Sequence, residues 1–259
     1  FYFKRTEYSF LLPPPTMAVN TPFAHVCIFY ILAVKTVADK EERMISAVIF
    51  DLDGVIVSTD EYHFRAWQEL AKELSVPFTQ EDNSRQRGVS RMESLEVLLE
   101  KADRNFNQDE KLTMAEKKNA IYRDLLSRLS PDQILPGAMD FAEEARRLGL
   151  KIAVGSSSRN TPFILKKIGL ADYFDAVADG NDIQRSKPDP QVFLIAAERL
   201  QTAPAECLVV EDADAGVEAA KAGGMFTLAV GAAKKHPGAD LRADSLEGLS
   251  LAELLQELA

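Results

Sequence analysis

Cysteine is nearly missing: Cys27 and Cys207 are the only two in 259 residues. Neither belongs to a Cys-x-x-Cys or Cys/His cluster, which argues against a disulfide framework and a structural zinc site. Cys207 opens the apolar run Cys207-Leu208-Val209-Val210 and reads as a buried thiol. Positive charge is also short, with thirty Lys and Arg against forty Asp and Glu and a net charge of −10. That balance argues against broad binding to nucleic acid or an anionic membrane, and leaves room for a small anion held by a few local cations. No apolar run reaches membrane length: residues 23–34 make about a dozen, where a span needs roughly 20. Residues 44–259 contain no internal repeat and no low-complexity segment. What is present is an ordinary globular composition, 46% hydrophobic and 27% charged, which excludes collagen-like and wholly disordered chains.

The first 43 residues differ from the rest. They carry five basic side chains (Lys4, Arg5, Lys35, Lys40, Arg43) and four acidic ones (Glu7, Asp39, Glu41, Glu42), and break at Pro13-Pro14-Pro15. Residues 23–34, followed by Thr36-Val37-Ala38, have the form of a short signal or anchor with a cleavage-like end. The simpler expectation is a disordered or non-native extension over 1–43, ahead of a domain starting at Met44. The protein is expected to be soluble, cytoplasmic and monomeric.

From residue 44 the pattern becomes regular. Residues 45–50 are short, apolar and β-branched, a buried strand that ends at Asp51-Leu52-Asp53-Gly54. Ser58 and Glu61 have capping-box spacing and predict a helix whose Trp67, Leu70, Ala71 and Leu74 share a face. Helical periodicity returns over about 90–102 and 109–129, and no strand-like run interrupts 60–130. Beyond Pro136-Gly137, strands at 151–155, 176–178, 207–210 and 226–230 alternate with helices near 138–148, 161–168, 190–200 and 213–223, with a last one at 250–258. Thr161-Pro162 and Asp189-Pro190 are helix-start signatures. The alternation predicts an α/β fold: a doubly wound parallel-sheet, Rossmann-like core from 44–58 and 137–259, with an all-helical cap inserted over 59–136.

Ligands of open parallel sheets collect at the C-terminal strand ends, and four such ends carry chemistry here. Asp51 and Asp53 lean to the same side of an extended chain; two carboxylates so close repel unless a cation or shared proton intervenes, and Mg²⁺ suits hard oxygen ligands. A solvated Asx turn accounts for the pair equally well. Ser156-Ser157-Ser158-Arg159-Asn160 runs into a helix start, an arrangement that is either an anion site or a well-capped polar loop. Lys187, pinned before Pro188, could neutralise a phosphoryl group or simply face solvent. Glu211-Asp212 is a second acidic pair, directly after Val209-Val210.

Taken in order, Asp51-x-Asp53-Gly54-Val55, Ser156, Lys187-Pro188 and Glu211-Asp212 resemble the motifs of the haloacid dehalogenase-like phosphotransferase superfamily, over residues 44 to about 231. The resemblance implies Asp51 as a nucleophile that becomes a phosphoaspartate, splitting one difficult transfer into two easier ones. It implies Asp53 as general acid/base and, through its carbonyl, a Mg²⁺ ligand together with Asp51, Glu211 and Asp212. Ser156 and Lys187 would hold the transferring phosphoryl oxygens, suitable parts for a reaction that is mostly positioning and charge neutralisation.

Three further segments resemble the β-phosphoglucomutase family: Glu61-Tyr62-His63-Phe64-Arg65-Ala66-Trp67, Arg87-Gly88-Val89-Ser90-Arg91 and Ser156–Asn160. That resemblance implies an isomerase of carbohydrate metabolism interconverting β-D-glucose 1-phosphate and glucose 6-phosphate, with β-glucose 1,6-bisphosphate as intermediate and activator. A bisphosphate needs a second anion site, implied at Arg91 with Ser157, Ser158, Arg159 and Asn160, where an arginine fork grips phosphate bidentately. Gly88 and Val89 would meet sugar hydroxyls by backbone, Trp67 would line the cap side, and His63 would act at the hinge or beside the catalytic groups. Read without the resemblance, His63 is a solvated first-turn histidine, Trp67 is core, and Arg87 and Arg91 are surface charges. Ser58 stands where relatives carry aspartate, and Arg159 where they carry lysine. The competing expectations are a sugar-phosphate phosphatase of the same fold, a non-catalytic sugar-phosphate sensor, and a form tethered to a membrane through residues 23–34.

Overall fold

The computed structural model describes residues 44–86 and 88–258; the expectations for residues 1–43 and for Arg87 lie outside them. Its strands β1 (Ala47–Phe50), β2 (Lys151–Gly155), β3 (Ala176–Ala178), β4 (Cys207–Glu211), β5 (Phe226–Ala229) and β6 (Leu241–Arg242) form one parallel sheet in the order β3-β2-β1-β4-β5-β6. This is the doubly wound α/β architecture predicted from the strand–helix alternation. Alternation along β1 shows how both faces are covered. Val48 and Phe50 pack into a core with Phe141, Ala142, Ile164 and Leu165, from helices α5 (Ala138–Arg147) and α6 (Thr161–Lys167). Ala47 and Ile49 face a separate cluster with Val192, Phe193, Ala196 and Ala219, from α7 (Gln191–Arg199) and α8 (Asp214–Ala222). Burial on both sides is why these strands read as unbroken apolar runs.

Between β1 and α5 the chain forms four α-helices, α1 (Asp60–Leu74), α2 (Gln80–Arg85), α3 (Arg91–Leu99) and α4 (Gln108–Leu126), with a small core of their own around Trp67, Leu70, Leu95, Leu98 and Ala115. The two connections run side by side where Val57 bridges Ile134 and the Leu135 N–H donates to the Ile56 carbonyl at 2.8 Å. A last helix, α9 (Leu251–Leu258), packs with α5.

Several local expectations are corrected. Ser58 and Glu61 form no capping box: the residue before α1 is Thr59, whose side chain caps nothing because it is held by Asp53 and Tyr122. Helix α2 was not expected, since Gln80–Arg85 has no apolar residue; its buried side chains are Asp82 and Asn83. The two-residue β6 was missed for lack of any periodic pattern. Helix α4 stops at Leu126 rather than 129. Helix α7 starts at Gln191, where Asp189 Oδ1 accepts the Gln191 N–H at 3.0 Å. Cys207 is fully buried. Among the described residues no helix is long and apolar enough to cross a membrane.

Candidate active site

The strand order reverses between β1 and β4, the position where open α/β sheets bind ligands. Register brings Phe50 level with Val154 and Val210, so Asp51, Ser156 and Glu211 leave the sheet at one end. That end forms the floor of a cleft of about 1280 Å³, roofed by the four inserted helices.

A lysine and three carboxylates occupy the floor. Lys187 is 1% exposed, and its Nζ donates to Asp51 Oδ1 at 2.5 Å and to Glu211 Oε2 at 2.7 Å. Burial alone would lower the pKa of this ammonium, but the Asp51 and Glu211 carboxylates outweigh it and hold the value above the ordinary one. Burial pushes Glu211 up to about 7, against the pull of Lys187. Carboxylate oxygens of Asp51, Glu211 and Asp212 lie within 4.8 Å of one another. Tight backbone approach makes this possible: a Cβ on Gly54 would sit 2.1 Å from Asp212 Oδ2, and one on Gly216 2.0 Å from Glu211 Cδ. Three convergent carboxylates with only hard oxygen donors fit Mg²⁺.

Asp53 lines the same cleft and is held by Thr59. Its Oδ1 accepts the Thr59 N–H at 2.6 Å and its Oδ2 the Thr59 hydroxyl at 2.5 Å, while the Tyr122 hydroxyl donates to Thr59 Oγ at 2.8 Å. Burial raises the Asp53 carboxyl to about 6, with the Thr59 bonds opposing. His63 is not a solvated first-turn histidine. Lys118 Nζ lies 2.8 Å from His63 Nδ1, and the His63 ring packs against Tyr122 with centroids 4.1 Å apart. Burial, with Lys118 and Arg91 nearby, holds the imidazole well below its usual pKa, hence neutral. Lys118 Nζ also lies over the Trp67 and Tyr122 rings, at 4.6 and 4.5 Å. Trp67 is thus both core, at 1% exposure, and part of the cleft lining beneath Lys118.

The loop after β2 supplies small polar groups. Ser156 Oγ accepts the Ser158 N–H at 3.3 Å, and Ser158 Oγ accepts the Asn160 N–H at 3.2 Å. The Ser157 hydroxyl is buried with no partner among the described residues. Asn160 Nδ2 donates to Asn119 Oδ1 of α4 at 2.9 Å, and Arg159 Nε to the Gly180 carbonyl at 3.1 Å. Arg91, at the start of α3, has its pKa lowered first by burial and then by the like charge of Arg159. Among the described residues neither guanidinium forms an ion pair, and Glu116 acts on Arg91 only as a weaker, opposing influence. Gly88 needs its φ of +76°, and a Cβ there would lie 3.3 Å from the Ala213 Cβ, so the Gly88-Val89 turn sits close above the loop after β4. Gly88, Val89, Ser58 and the 156–160 loop all line the cleft.

Thr59, Lys118, Asn119 and Tyr122 were missed by sequence reasoning. One signal existed: Lys118 falls on the helical face of Ala115, Tyr122 and Leu126, a charge on an apolar stripe.

Comparison with known proteins places these features in context. The family model for haloacid dehalogenase-like hydrolases matches residues 45–224. The chain is 43% identical over 213 residues to a β-phosphoglucomutase of Bacillus subtilis, covering 82% of this chain and 94% of that protein. It is 32% identical over 182 residues to a phosphorylated carbohydrates phosphatase of Thermotoga maritima, covering 69% and 82%. A crystal structure of β-phosphoglucomutase from Clostridium difficile superposes with a TM-score of 0.78 at 36% identity, over 83% of this chain and 97% of that one.

Proposed function

The chain belongs to the haloacid dehalogenase-like hydrolase family, and we propose that it is a phosphomutase interconverting β-D-glucose 1-phosphate and glucose 6-phosphate through β-glucose 1,6-bisphosphate. The observation that carries this reading is the presence of two separate cationic groups in one cleft, each suited to an anion: Lys187 with Ser156 on the floor, and the Arg91–Arg159 pair. A bisphosphate uses both, whereas hydrolysis of a monophosphate needs only the first. The 43% identity to the B. subtilis mutase supports the same reading.

In this proposal Lys187, by holding Oδ1, orients the Asp51 carboxylate for attack on phosphorus. A bond forms between the carboxylate oxygen and phosphorus, the bond from phosphorus to the sugar oxygen breaks, and Asp53 supplies the proton that the departing oxygen needs. In the return step the other sugar hydroxyl yields its proton to Asp53 and takes the phosphoryl group, which regenerates the Asp51 carboxylate. A carboxyl with a pKa near 6 exchanges a proton readily around neutral pH. Asp51, Glu211, Asp212 and the Asp53 carbonyl would hold Mg²⁺, which when bound neutralises charge on the transferring phosphoryl oxygens. The roof of helices excludes water that would otherwise intercept the phosphoaspartate. We take the active form to be a single chain, since every group named comes from one.

The T. maritima relative favours a second reading, a sugar-phosphate phosphatase with water as acceptor. The deciding experiment incubates protein, Mg²⁺, β-glucose 1-phosphate and a trace of β-glucose 1,6-bisphosphate, following glucose 6-phosphate and free phosphate in parallel. Glucose 6-phosphate without phosphate release is expected; phosphate with little glucose 6-phosphate selects the phosphatase, and neither product leaves the sensor.

A further inference from the structure

Glu93 and Ser186 stand on opposite walls of the cleft. Glu93 is the third residue of α3, and Ser186 lies in the loop after β3, next to Lys187. The Ser186 hydroxyl donates to Glu93 Oε2 at 2.5 Å, joining residues 93 positions apart. The same oxygen accepts the Ser90 N–H at 2.7 Å, while the Glu93 N–H donates to Ser90 Oγ at 3.3 Å, a capping box at the start of α3. Arg91 is the first residue of that helix. One carboxylate is therefore fixed both to the turn that carries Arg91 and to the residue preceding Lys187. The walls are also joined by two chain connections and by the Asn160–Asn119 bond, none of which touches α3, so the place of Arg91 relative to Lys187 depends on contacts made at the start of α3.

We propose that Glu93 is a positioning residue: through Ser186 it sets the distance of Arg91, on the roof, from Lys187 and Arg159, on the core, so that a bisphosphate meets all three cations only while the Ser186–Glu93 bond is made. This rests on the two-anion reading of the cleft given above. Glu93 touches neither substrate nor reacting atoms in this scheme; it acts through the two elements that it joins. A hydroxyl-to-carboxylate bond is charge-assisted, and its loss changes an equilibrium by about tenfold.

The test compares wild type, Ser186→Ala, Ser186→Thr and Glu93→Gln as full chains. Three quantities are read: the β-glucose 1,6-bisphosphate concentration for half-maximal activity, free phosphate released per transfer, and the rate of phosphoaspartate formation from acetyl phosphate, which is too small to span both anion groups. Ser186→Ala is expected to raise the bisphosphate requirement about tenfold and to raise phosphate release, with acetyl phosphate labelling within about twofold of wild type. Ser186→Thr keeps the hydroxyl and should restore all three. Glu93→Gln keeps a capping-box acceptor but loses the charge, and should fall between. An unchanged bisphosphate requirement in Ser186→Ala overturns the proposal. So does an equal loss of acetyl phosphate labelling, which makes Ser186 a shaper of the Lys187 loop alone. Should wild type release only phosphate, the mutase reading fails by itself. The KM for hydrolysis of the bisphosphate then decides for Glu93: a rise in Ser186→Ala upholds the positioning role, and no change overturns it.

Discussion

Two glycines determine how closely the carboxylates on the cleft floor approach. Gly54 sits at φ +85°, in the left-handed region, where a side chain costs about 1–2 kcal/mol. Its missing Cβ leaves the space that the Asp212 carboxylate fills. Gly54→Ala is expected to fold with a stability loss of that size and to push Asp212 out of reach of Asp51 and Glu211. The activity should then need at least about tenfold more Mg²⁺ for half-saturation, roughly the loss of one charged ligand. A Mg²⁺ titration beside a thermal melt separates the two effects, and an unchanged Mg²⁺ requirement would remove Asp212 from the ligand set. Gly216 is the useful contrast. It lies inside α8, so alanine there gains up to about 1 kcal/mol of helix propensity while colliding with Glu211. A Mg²⁺ defect in Gly216→Ala would come from the displaced carboxylate, not from a weakened helix.

Helix α9 depends on a carboxylate borrowed from another element. Glu144 of α5 accepts the N–H groups of Leu251 at 2.9 Å and Ala252 at 3.2 Å, with the Ser250 hydroxyl at 3.2 Å, satisfying donors that a helix start otherwise leaves open. Burial would raise the Glu144 carboxyl, but these bonds outweigh it and hold the pKa below the ordinary value. Asp82 behaves alike: burial raises it, and Lys101 with the Thr79 bonds lowers it further. A depressed carboxylate pKa stabilises the fold fully above the unfolded value of about 4, and that stabilisation is lost as pH falls through the folded value. Thermal melts should therefore drop below about pH 4. Glu144→Gln should cost about 1 kcal/mol at pH 7 and show a smaller drop on acidification; an equal drop would show that Glu144 is not one of the groups responsible. The same elements show what a sequence reveals. Strands β1, β2, β4 and β5 are runs of apolar residues buried on both faces, and each was legible. Helix α2 was not, because Gln80–Arg85 buries Asp82 and Asn83, held by Lys101 and Asp60, and has no apolar face to read. The Ser58–Glu61 spacing was legible but misleading, since Thr59 is committed to Asp53.

At the scale of the whole molecule, the cleft joins groups that differ in how visible they are. Asp51, Ser156 and Glu211-Asp212 sit at or beside strand ends, so finding the strands finds them, whereas Lys187 lies nine residues past β3 and was legible only through the Lys187-Pro188 motif. Lys118 meets His63 from 55 positions away and Ser186 meets Glu93 from 93, partnerships that no local period contains. Arg91 and Arg159 fall between these cases: each was a candidate from its motif, but only the fold brings the two cations near one another with no ion pair to either among the described residues. Their proximity makes opposite demands on stability and binding. In the free protein the like charges repel, so Arg91→Ala should leave the melting temperature unchanged or raise it. With a bisphosphate bound, the same substitution removes a guanidinium fork from the distal phosphate, and use of the bisphosphate should fall by about tenfold to a hundredfold. Phosphoaspartate formation from acetyl phosphate should fall much less, because that donor engages only the floor of the cleft. Arg91→Lys restores the charge without the planar fork and should recover part of the loss. Equal losses with the two donors would instead place Arg91 in the support of the floor, and the case for a mutase over a phosphatase would lose its structural basis.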